Sequence, residues 1–407
     1  MGFEIDTASL LDRLARLGAV GAIPGGGCAR LALTDEDRAG RDLVVGWMRD
    51  LGLSVGTDAI GNVVAVRAGT ADVEPVMIGS HIDTVRTGGR YDGNLGVLAG
   101  LELCAALDRA DMRTRRPIAV AFFTNEEGAR FQPDMLGSLV YVGGMQLAEA
   151  HAARSIDGKT LGEELARIGY LGDRVPGFVR PHAFVELHIE QGPILEAEGL
   201  TIGAVTGVQG ISWAEYVFSG VSNHAGTTPM RLRRDAGYAA MAVASGIRDL
   251  VRRFGGDQVG TVGRIELVPN LINVVASRAT FTVDLRNTDE AILRRAEAEA
   301  ASLIERICGE ERIGVEKRVL ARFEPVEFSE GIVDLVAACA AARGLSSRRM
   351  PSGAGHDAQM FARICPTGMI FVPSAKGLSH NVAEHTDPAD IDAGAKVLRD
   401  VVLELAA

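Results

Sequence analysis

The sequence has no hydrophobic run long enough to cross a bilayer and no cysteine pattern typical of a disulfide framework. Its longest stretch without a charged residue, residues 199–214, is Gly-rich and shorter than the roughly 20 apolar residues of a membrane-spanning helix. The five cysteines are odd in number and form no CxxC pair, which argues against disulfides and against a thiolate zinc site. The first residues carry Glu4 and Asp6 and lack the basic and apolar regions of a secretory signal. We therefore expect a cytoplasmic protein with free thiols.

Positive charge is also scarce. The 407 residues include 53 Asp and Glu against 42 Lys and Arg, which gives a formal net charge of −11. Nucleic acids and anionic membranes attract basic surfaces, so this balance argues against both as partners. Hydrophobic residues make up 47% and charged residues 23%, as in a folded globular protein. The length fits one large domain or two modest ones.

Strand and helix patterns alternate along the first 210 residues. Short apolar runs at residues 75–79, 118–123 and 183–187 have the composition of buried strands, and residues 96–107 have that of a helix. This alternation predicts an α/β domain with a mostly parallel or mixed sheet and helices on both faces.

A different order of elements follows residue 210. Six segments read β-α-β-β-α-β, the order of a ferredoxin-like unit, at residues 213–220, 235–254, 261–268, 278–286, 289–310 and 314–322. After this unit, a predicted helix near residues 331–343 again fits the α/β pattern of the first 210 residues. We therefore predict one α/β domain formed by residues 1–210 and 327–407, interrupted by an inserted α+β domain at residues 211–326.

Polar patches that carry chemistry stand where predicted strands end, which is where open α/β sheets bind ligands. They contain His81 and Asp83, then Asp92, then Glu126 and Glu127, then His188, and finally His380. His81 and Asp83 point the same way in an extended chain, so the carboxylate can fix the imidazole tautomer. Two adjacent acids at the end of a buried strand, Glu126 and Glu127, are costly unless paired or metal-bound.

Together these patches predict a metal centre, although each one alone is commonplace. Three imidazoles and two carboxylates form a mixed nitrogen and oxygen donor set, from His81, Asp92, Glu127, His188 and His380. Such a set suits Zn²⁺, or Mn²⁺ and Co²⁺, rather than Ca²⁺ or an iron–sulfur centre. Five ligands are too many for one catalytic ion that keeps an open position, and they suit two ions that share a bridging carboxylate.

The motifs also resemble a known family. The strings GSHIDTV, YDGNLGV, NEEGARF, ELHIEQGP, SNHAGTTPM, GAGHDA and GLSHN occur in family order along essentially the whole chain. The sequence resembles the di-zinc aminoacylase/carboxypeptidase superfamily. Within it, the sequence is most similar to the hydantoinase/carbamoylase branch, which includes N-carbamoyl-L-amino acid hydrolases, β-ureidopropionases and allantoate amidohydrolases.

The resemblance implies a role for each residue of the centre. The implied metal ligands are His81, Asp92, Glu127, His188 and His380, with Asp92 bridging two ions. Asp83 matches the carboxylate that orients His81, and Glu126 matches the general base. The resemblance implies zinc as the bound metal, with manganese and cobalt as alternatives.

For the inserted domain, the resemblance implies a lid that also forms a homodimer. His224 matches a residue that stabilises the transition-state oxyanion, and Asn273 and Arg286 match residues that hold the substrate carboxylate. A guanidinium such as that of Arg286 can bind a carboxylate through two hydrogen bonds. Gln191 and Gly355 match further substrate contacts.

The implied reaction is hydrolysis of the ureido C–N bond of an N-carbamoyl-L-amino acid, which yields the amino acid, ammonia and CO₂. Allantoate hydrolysis is an alternative, because allantoate also offers a ureido carbonyl and a carboxylate. Hydrolysis of another N-acyl amino acid or of a dipeptide is a third possibility. A metal-free binding protein is disfavoured by the complete ligand set and by the Glu126 base.

Overall fold

The computed structural model describes residues 3–407 and divides them into two units. The first unit runs to Gly207 and resumes with Glu327–Ala407, and the second unit is Val208–Val326. The boundaries predicted from the sequence, at residues 210 and 326, lie close to these. None of the described helices combines the length and apolarity that a transmembrane helix requires.

Strands and helices are numbered along the chain. The strands are β1 (Ser54–Thr57), β2 (Val63–Arg67), β3 (Val76–His81), β4 (Ile118–Phe123), β5 (Ala183–Ile189), β6 (Ile202–Val208), β7 (Gly210–Ser219), β8 (Val259–Thr261), β9 (Ile265–Val268), β10 (Arg278–Asn287), β11 (Gly314–Phe323), β12 (Val326–Glu327), β13 (Ser347–Ser352) and β14 (Thr367–Val372). The α-helices are α1 (Thr7–Ala19), α2 (Asp35–Asp50), α3 (Asn94–Arg109), α4 (Leu136–Tyr141), α5 (Leu147–Ala152), α6 (Leu161–Ile168), α7 (Ile194–Glu198), α8 (Ala236–Phe254), α9 (Glu290–Glu311), α10 (Glu330–Ala342), α11 (Asp357–Phe361) and α12 (Pro388–Leu405).

The first unit is built on a mixed sheet. Its strand order is β1-β2-β4-β3-β5-β14-β6-β12, with β13 paired to β6. Strands β4, β3, β5 and β14 form a parallel block, whereas β1, β2 and β6 pair antiparallel with their neighbours. β3, β4 and β5 are buried along their whole length, which explains their largely apolar sequences. The predicted α/β class with a mixed sheet is confirmed.

The parallel block brings the polar patches to one edge of the sheet. Parallel strands that are neighbours end at the same edge, and α/β folds bind ligands there. His81 is the last residue of β3, and His188 is the penultimate residue of β5. Residues 124–127 follow β4, and His380 lies in the connection between β14 and α12. Segments far apart in the sequence therefore meet at a single site.

The second unit has its own sheet and its own core. Its elements follow the order predicted for a ferredoxin-like unit, and its strand order is β11-β7-β10, with β8 and β9 both paired to β10. All of these pairs are antiparallel. Side chains of the sheet such as Phe218 and Phe281 form one hydrophobic core with the apolar faces of α8 and α9.

One predicted strand of the second unit, residues 261–268, is two short strands in the structure. Thr261 at the end of β8 lies opposite Asp284, and Ile265 at the start of β9 lies opposite Phe281. The register on β10 therefore shifts by one residue across the interruption, as at a β-bulge. Gly263 lies within it, and a glycine inside a strand pattern often marks such a site.

Helix α2 carries a buried ion pair next to the edge of the sheet that bears the polar patches. Arg41 Nε lies 2.8 Å from Asp37 Oδ2, and both side chains are fully buried. Arg41 also donates to the main-chain oxygen of Gly61 at 2.7 Å and to Thr124 Oγ1 at 3.2 Å. The pair therefore connects α2 to the residue that follows β4.

We expect Arg41→Leu to lower the free energy of unfolding by about 3–5 kcal/mol, because it leaves Asp37 as an unpaired buried charge. The matched control is Arg38→Leu on the same helix, since Arg38 and Asp42 are exposed and 3.8 Å apart. This control should change the free energy by less than about 1 kcal/mol. Urea unfolding of both variants measures the difference, and equal midpoints would contradict the prediction.

Candidate metal centre

Two buried imidazoles face Asp92 from β3 and β5. Nδ1 of His81 lies 2.9 Å from the main-chain oxygen of Asp83, and Nδ1 of His188 lies 2.9 Å from that of Ile189. Because a carbonyl oxygen can only accept, both Nδ1 atoms carry hydrogen and both Nε2 atoms are directed toward Asp92. The Nε2 atoms of His81 and His188 lie 3.6 and 3.2 Å from Asp92 Oδ1.

The second carboxylate oxygen of Asp92 faces another set of donors. His380 Nε2 lies 3.4 Å from Asp92 Oδ2 and 3.2 Å from Glu127 Oε2. The described residues contain three groups whose ligand atoms lie within 4.8 Å of one another, one of which is Glu186–His188–His356. The other two, His81–Asp92–His188 and Asp92–Glu127–His380, share Asp92. Asp92 belongs to both groups, as expected of a carboxylate that bridges two ions.

A sharp turn presents Asp92 to these imidazoles. Gly93 follows it with a φ of 65°, and a Cβ at this position would lie 2.4 Å from the ring of His81. The main-chain N–H of Gly93 donates to His188 Nε2 at 3.1 Å, which agrees with a hydrogen on Nδ1 rather than Nε2 of that ring. Glycine is therefore required after Asp92 both by space and by backbone conformation.

The Asp92 carboxylate and the imidazoles of the centre shift each other's pKa values toward their charged forms. Burial opposes ionisation of Asp92, but the facing imidazoles of His188, His380 and His81 hold its pKa well below its usual range. Hydrogen bonds with Asp92 and Glu127 raise the pKa of His380 to about 10. A divalent cation can supply the positive charge that protons would otherwise bring. The nitrogen and oxygen donors therefore fit Zn²⁺, Mn²⁺ or Co²⁺.

Glu126 lies beside His81 but outside both ligand groups. Its Oε2 is 3.4 Å from His81 Nε2, and its side chain is almost completely buried. Burial raises the pKa of Glu126 well above its usual range against the lowering effect of His81, and Asp357 and Glu127 raise it further. A carboxyl group with a raised pKa beside a metal centre is suited to proton transfer.

Asp83 connects the ends of β3 and β4. Its main-chain oxygen, rather than its carboxylate, makes the hydrogen bond with His81. The carboxylate instead accepts a hydrogen bond from the main-chain N of Glu126 at 3.3 Å, and burial raises the pKa of Asp83 to about 7. The expected contact differs because β3 ends at His81, so the side-chain alternation of an extended chain does not reach Asp83.

A cavity of about 90 Å³ adjoins the two ligand groups. Its lining consists of His81, Asp92, Glu126, Glu127, Asp134, His188, Gln191, Ala354, Gly355, His356 and His380. Gln191 Nε2 donates to Asp92 Oδ2 at 3.0 Å, and its Oε1 is buried without a hydrogen-bond partner among residues 3–407. A Cβ at Gly355 would lie 2.8 Å from Met135 Cε, so a side chain at this position would require the flexible end of Met135 to move. The structure thus brings Gln191 and Gly355 together with the predicted ligands.

In the second unit, His224 and Asn273 lie on adjacent segments. The main-chain N–H groups of Gly226 and Thr227 donate to His224 Nδ1 at 3.0 and 3.3 Å. Nε2 of His224 therefore carries hydrogen, and the side chain is exposed. The main-chain N of Ala225 donates to the main-chain oxygen of Asn273 at 2.9 Å, which joins the two segments.

Arg286 makes an ion pair within the second unit. Its Nε and Nη2 donate to the carboxylate of Asp284 at 3.1 and 3.0 Å, and its guanidinium carbon lies 5.5 Å from the centre of the Trp213 ring. Asp284 and Arg286 are two residues apart in β10 and so share one face of the sheet. This pair could have been found from the alternation, but it was not predicted.

Sequence reasoning also missed several polar residues around the ligands. Both oxygens of Glu186, two residues before His188 in β5, accept hydrogen bonds. Glu384 accepts from the main-chain N of Asp92, and Ser379 donates to the Asp92 carboxylate. The sequence signal for Glu186 is an acidic residue within the apolar run of β5, whereas Glu384 lies among exposed residues and has no such signal.

Known proteins are similar to this chain over nearly its full length. The sequence pattern of peptidase family M20/M25/M40 matches residues 77–404. The chain is 42% identical to an N-carbamoyl-L-amino-acid amidohydrolase of Rhizobium meliloti, over 99% of this chain and 97% of that protein. It is 37% identical to an allantoate amidohydrolase of Escherichia coli, over 97% of both chains.

Solved structures give the same result. The crystal structure of an amidase of the hydantoinase/carbamoylase family from Burkholderia multivorans matches with a TM-score of 0.96 and 44% identity, and covers 99% of this chain and 98% of that one. The resemblance predicted from the sequence motifs is confirmed. The chain belongs to peptidase family M20/M25/M40, in its hydantoinase/carbamoylase branch.

Proposed function

We propose that this chain is a metal-dependent amidohydrolase that cleaves the ureido C–N bond of N-carbamoyl-L-amino acids, with the amino acid, ammonia and CO₂ as products. The observation that carries the proposal is the pair of donor groups that share Asp92, with Glu126 beside them. The Rhizobium meliloti relative, an N-carbamoyl-L-amino-acid amidohydrolase, supports the substrate class.

Two divalent ions per chain are part of this proposal, with zinc as the first candidate and manganese or cobalt as alternatives. One ion would bind to His81, Asp92 and His188. The other would bind to Asp92, Glu127 and His380. Bound ions would lower the pKa of a shared water and polarise the substrate carbonyl.

Glu126 would move the proton in the reaction. It lines the cavity, takes the proton of the attacking water and delivers it to the leaving nitrogen. Asp83 would position Glu126, because its carboxylate accepts from the main-chain N of that residue. The Nε2–H of His224 would donate to the oxyanion that forms at the ureido carbon.

The remaining residues would bind the substrate. Gln191 offers its unpaired Oε1 to a ureido N–H, and Gly355 lines the same cavity. Asn273 and Arg286 would hold the substrate carboxylate, for which a guanidinium is well suited. Because Arg286 already contacts Asp284, a substrate carboxylate on Arg286 competes with that ion pair.

We expect Glu126→Gln to lower kcat at least about a hundredfold and to leave the metal content unchanged, because an amide of the same size cannot accept the proton. The matched control is Glu127→Gln, the neighbouring acid that contacts His380. This variant should lose bound metal together with activity. Ammonia release and elemental analysis measure the two effects, and unchanged turnover in Glu126→Gln would remove this residue from the mechanism.

Allantoate hydrolysis is the second candidate function. Allantoate presents a ureido carbonyl and a carboxylate, so the same residues could serve it, and the Escherichia coli relative is an allantoate amidohydrolase. The family also includes peptidases, which keeps N-acyl amino acids and dipeptides as a third candidate.

A substrate panel on metal-replete protein distinguishes these reactions. N-carbamoyl-L-amino acids, N-carbamoyl-β-alanine, allantoate, N-acetyl amino acids and dipeptides are compared by kcat/KM, with ammonia or free amino acid as the readout. We expect the N-carbamoyl-L-amino acids to give the highest value. The carbamoylase proposal fails if none of the ureido compounds releases ammonia, or if allantoate is clearly preferred.

We also propose a homodimer, with the second unit as its lid and dimerisation domain. Large apolar side chains are exposed on α8, where Tyr238 and Met241 are 54% and 53% exposed, and on β9 at Ile265 and Val268. Exposed apolar patches of this kind mark protein interfaces, and most homo-oligomers are symmetric dimers.

Met241→Glu tests this interface, because a buried unpaired charge opposes association. We expect the wild type to sediment as a dimer and the variant to be shifted toward monomer. Val175→Glu is the matched control, since Val175 is 76% exposed in the first unit and its substitution should leave the dimer intact. A monomeric wild type, or a variant as dimeric as the control, contradicts the proposed interface.

A cytoplasmic location without nucleic-acid or membrane partners completes the proposal. All five cysteines are free, as in compartments that keep thiols reduced. The net charge of −11 supports the absence of polyanionic partners.

A further inference from the structure

Glu384 is a buried acid that lies behind the metal centre. Its exposed fraction is only 7%, and it is not among the described residues that line the cavity. Its Oε1 accepts hydrogen bonds from the main-chain N of Tyr91 at 3.0 Å and of Asp92 at 3.2 Å. Glu384 therefore holds the backbone of the bridging residue without reaching the reacting atoms.

The two amides need such an acceptor. Tyr91 and Asp92 precede α3, which begins at Asn94, so their N–H groups lie outside the hydrogen bonds of that helix. A buried N–H group without an acceptor costs about 1–3 kcal/mol. Glu384, 292 residues from Asp92 in the sequence, supplies one oxygen to both amides.

The other oxygen of Glu384 is linked to the side chain of Asp92 through Ser379. Ser379 Oγ lies 3.3 Å from Glu384 Oε2 and 3.1 Å from Asp92 Oδ2. Gln191 Nε2 donates to the same hydroxyl at 3.2 Å. Because Ser379 directly precedes His380, Glu384 contacts two of the segments that supply the Asp92–Glu127–His380 group.

A glycine opposite Glu384 makes room for its carboxylate. A Cβ at Gly89 would lie 2.0 Å from Glu384 Oε1. Gly89 is not among the residues with positive φ, so space rather than backbone conformation requires glycine here. Any side chain at position 89 would push Glu384 away from the amides of Tyr91 and Asp92.

We propose that Glu384 is a positioning residue that fixes the bridging carboxylate of Asp92 and the segment of His380 for metal binding. This inference rests on the metal centre of the proposed function. Groups that orient metal ligands contribute strongly to binding, and their loss typically lowers metal affinity or activity about 10–100-fold.

The test is the zinc affinity of the full-length chain, measured by competition with a chromophoric chelator. We expect Glu384→Ala to bind zinc about 10–100-fold more weakly than the wild type. Glu384→Gln should stay within about threefold, because its amide oxygen can accept from both main-chain N–H groups and its NH₂ can donate to Ser379.

Glu102→Ala is the matched control for the loss of a buried acid. Glu102 is fully buried and also accepts from a main-chain N–H, that of Asp6 at 3.2 Å. This variant should lower the melting temperature of the metal-free protein and leave zinc affinity unchanged. With Co²⁺ in place of zinc, the visible absorption spectrum should change in Glu384→Ala and not in Glu102→Ala.

Zinc affinity in Glu384→Ala within about twofold of the wild type would overturn the inference, since a positioning role predicts a larger loss. A wild type that binds no zinc, manganese or cobalt would overturn the metal centre itself, which separates the two failures. If Glu384→Ala does not fold, Gly89→Ala displaces the same carboxylate and has to show the same loss of affinity.

Discussion

The carboxylate of Asp92 is buried between three imidazoles, and much of the first unit is arranged to keep it ionised there. Removing a carboxylate from water is unfavourable unless opposite charges and hydrogen-bond donors replace the lost hydration. His81 and His188 face one oxygen and His380 faces the other. The same requirement explains why Glu126 and Glu127 can stand beside each other at the end of an apolar strand. Two divalent ions would satisfy this concentration of negative charge.

The sheet topology is what makes this arrangement possible. Four parallel strands end at one edge, and each ligand stands in or after one of these strands or in the turn before α3. Residues as distant as His81 and His380 therefore need no long flexible segment to meet. By contrast, Arg286 and Asn273, which we propose to hold the substrate carboxylate, belong to the second unit. The proposed metal ligands and the residues proposed to bind the substrate carboxylate thus come from different units.

That the polar residues around Asp92 lie close together could be predicted from the sequence, because each stands beside a local signal such as a strand end or a glycine turn. The supporting contacts could not. Glu384 acts on Asp92 across 292 residues, and no local pattern records such a contact. The side-chain alternation of a strand also does not show that β3 ends at His81. For this reason the hydrogen bond with His81 was expected from the Asp83 carboxylate but is made by the Asp83 main-chain oxygen. Likewise, the interruption of residues 261–268 depends on the register with β10, which is a property of two strands together.

The hydrogen bonds that orient His81 and His188 both end on main-chain oxygens. Every amino acid provides that oxygen, so substitution of Asp83 or Ile189 leaves the acceptor in place. Mutation of Asp83 or Ile189 should therefore leave the tautomers of His81 and His188 unchanged. Substrate preference can drift during evolution, or be altered by directed mutagenesis, while this half of the metal centre keeps its protonation pattern. By contrast, the positions of Asp92 and of the His380 segment depend on the side chain of Glu384, so substitution of Glu384 removes the group that supports them.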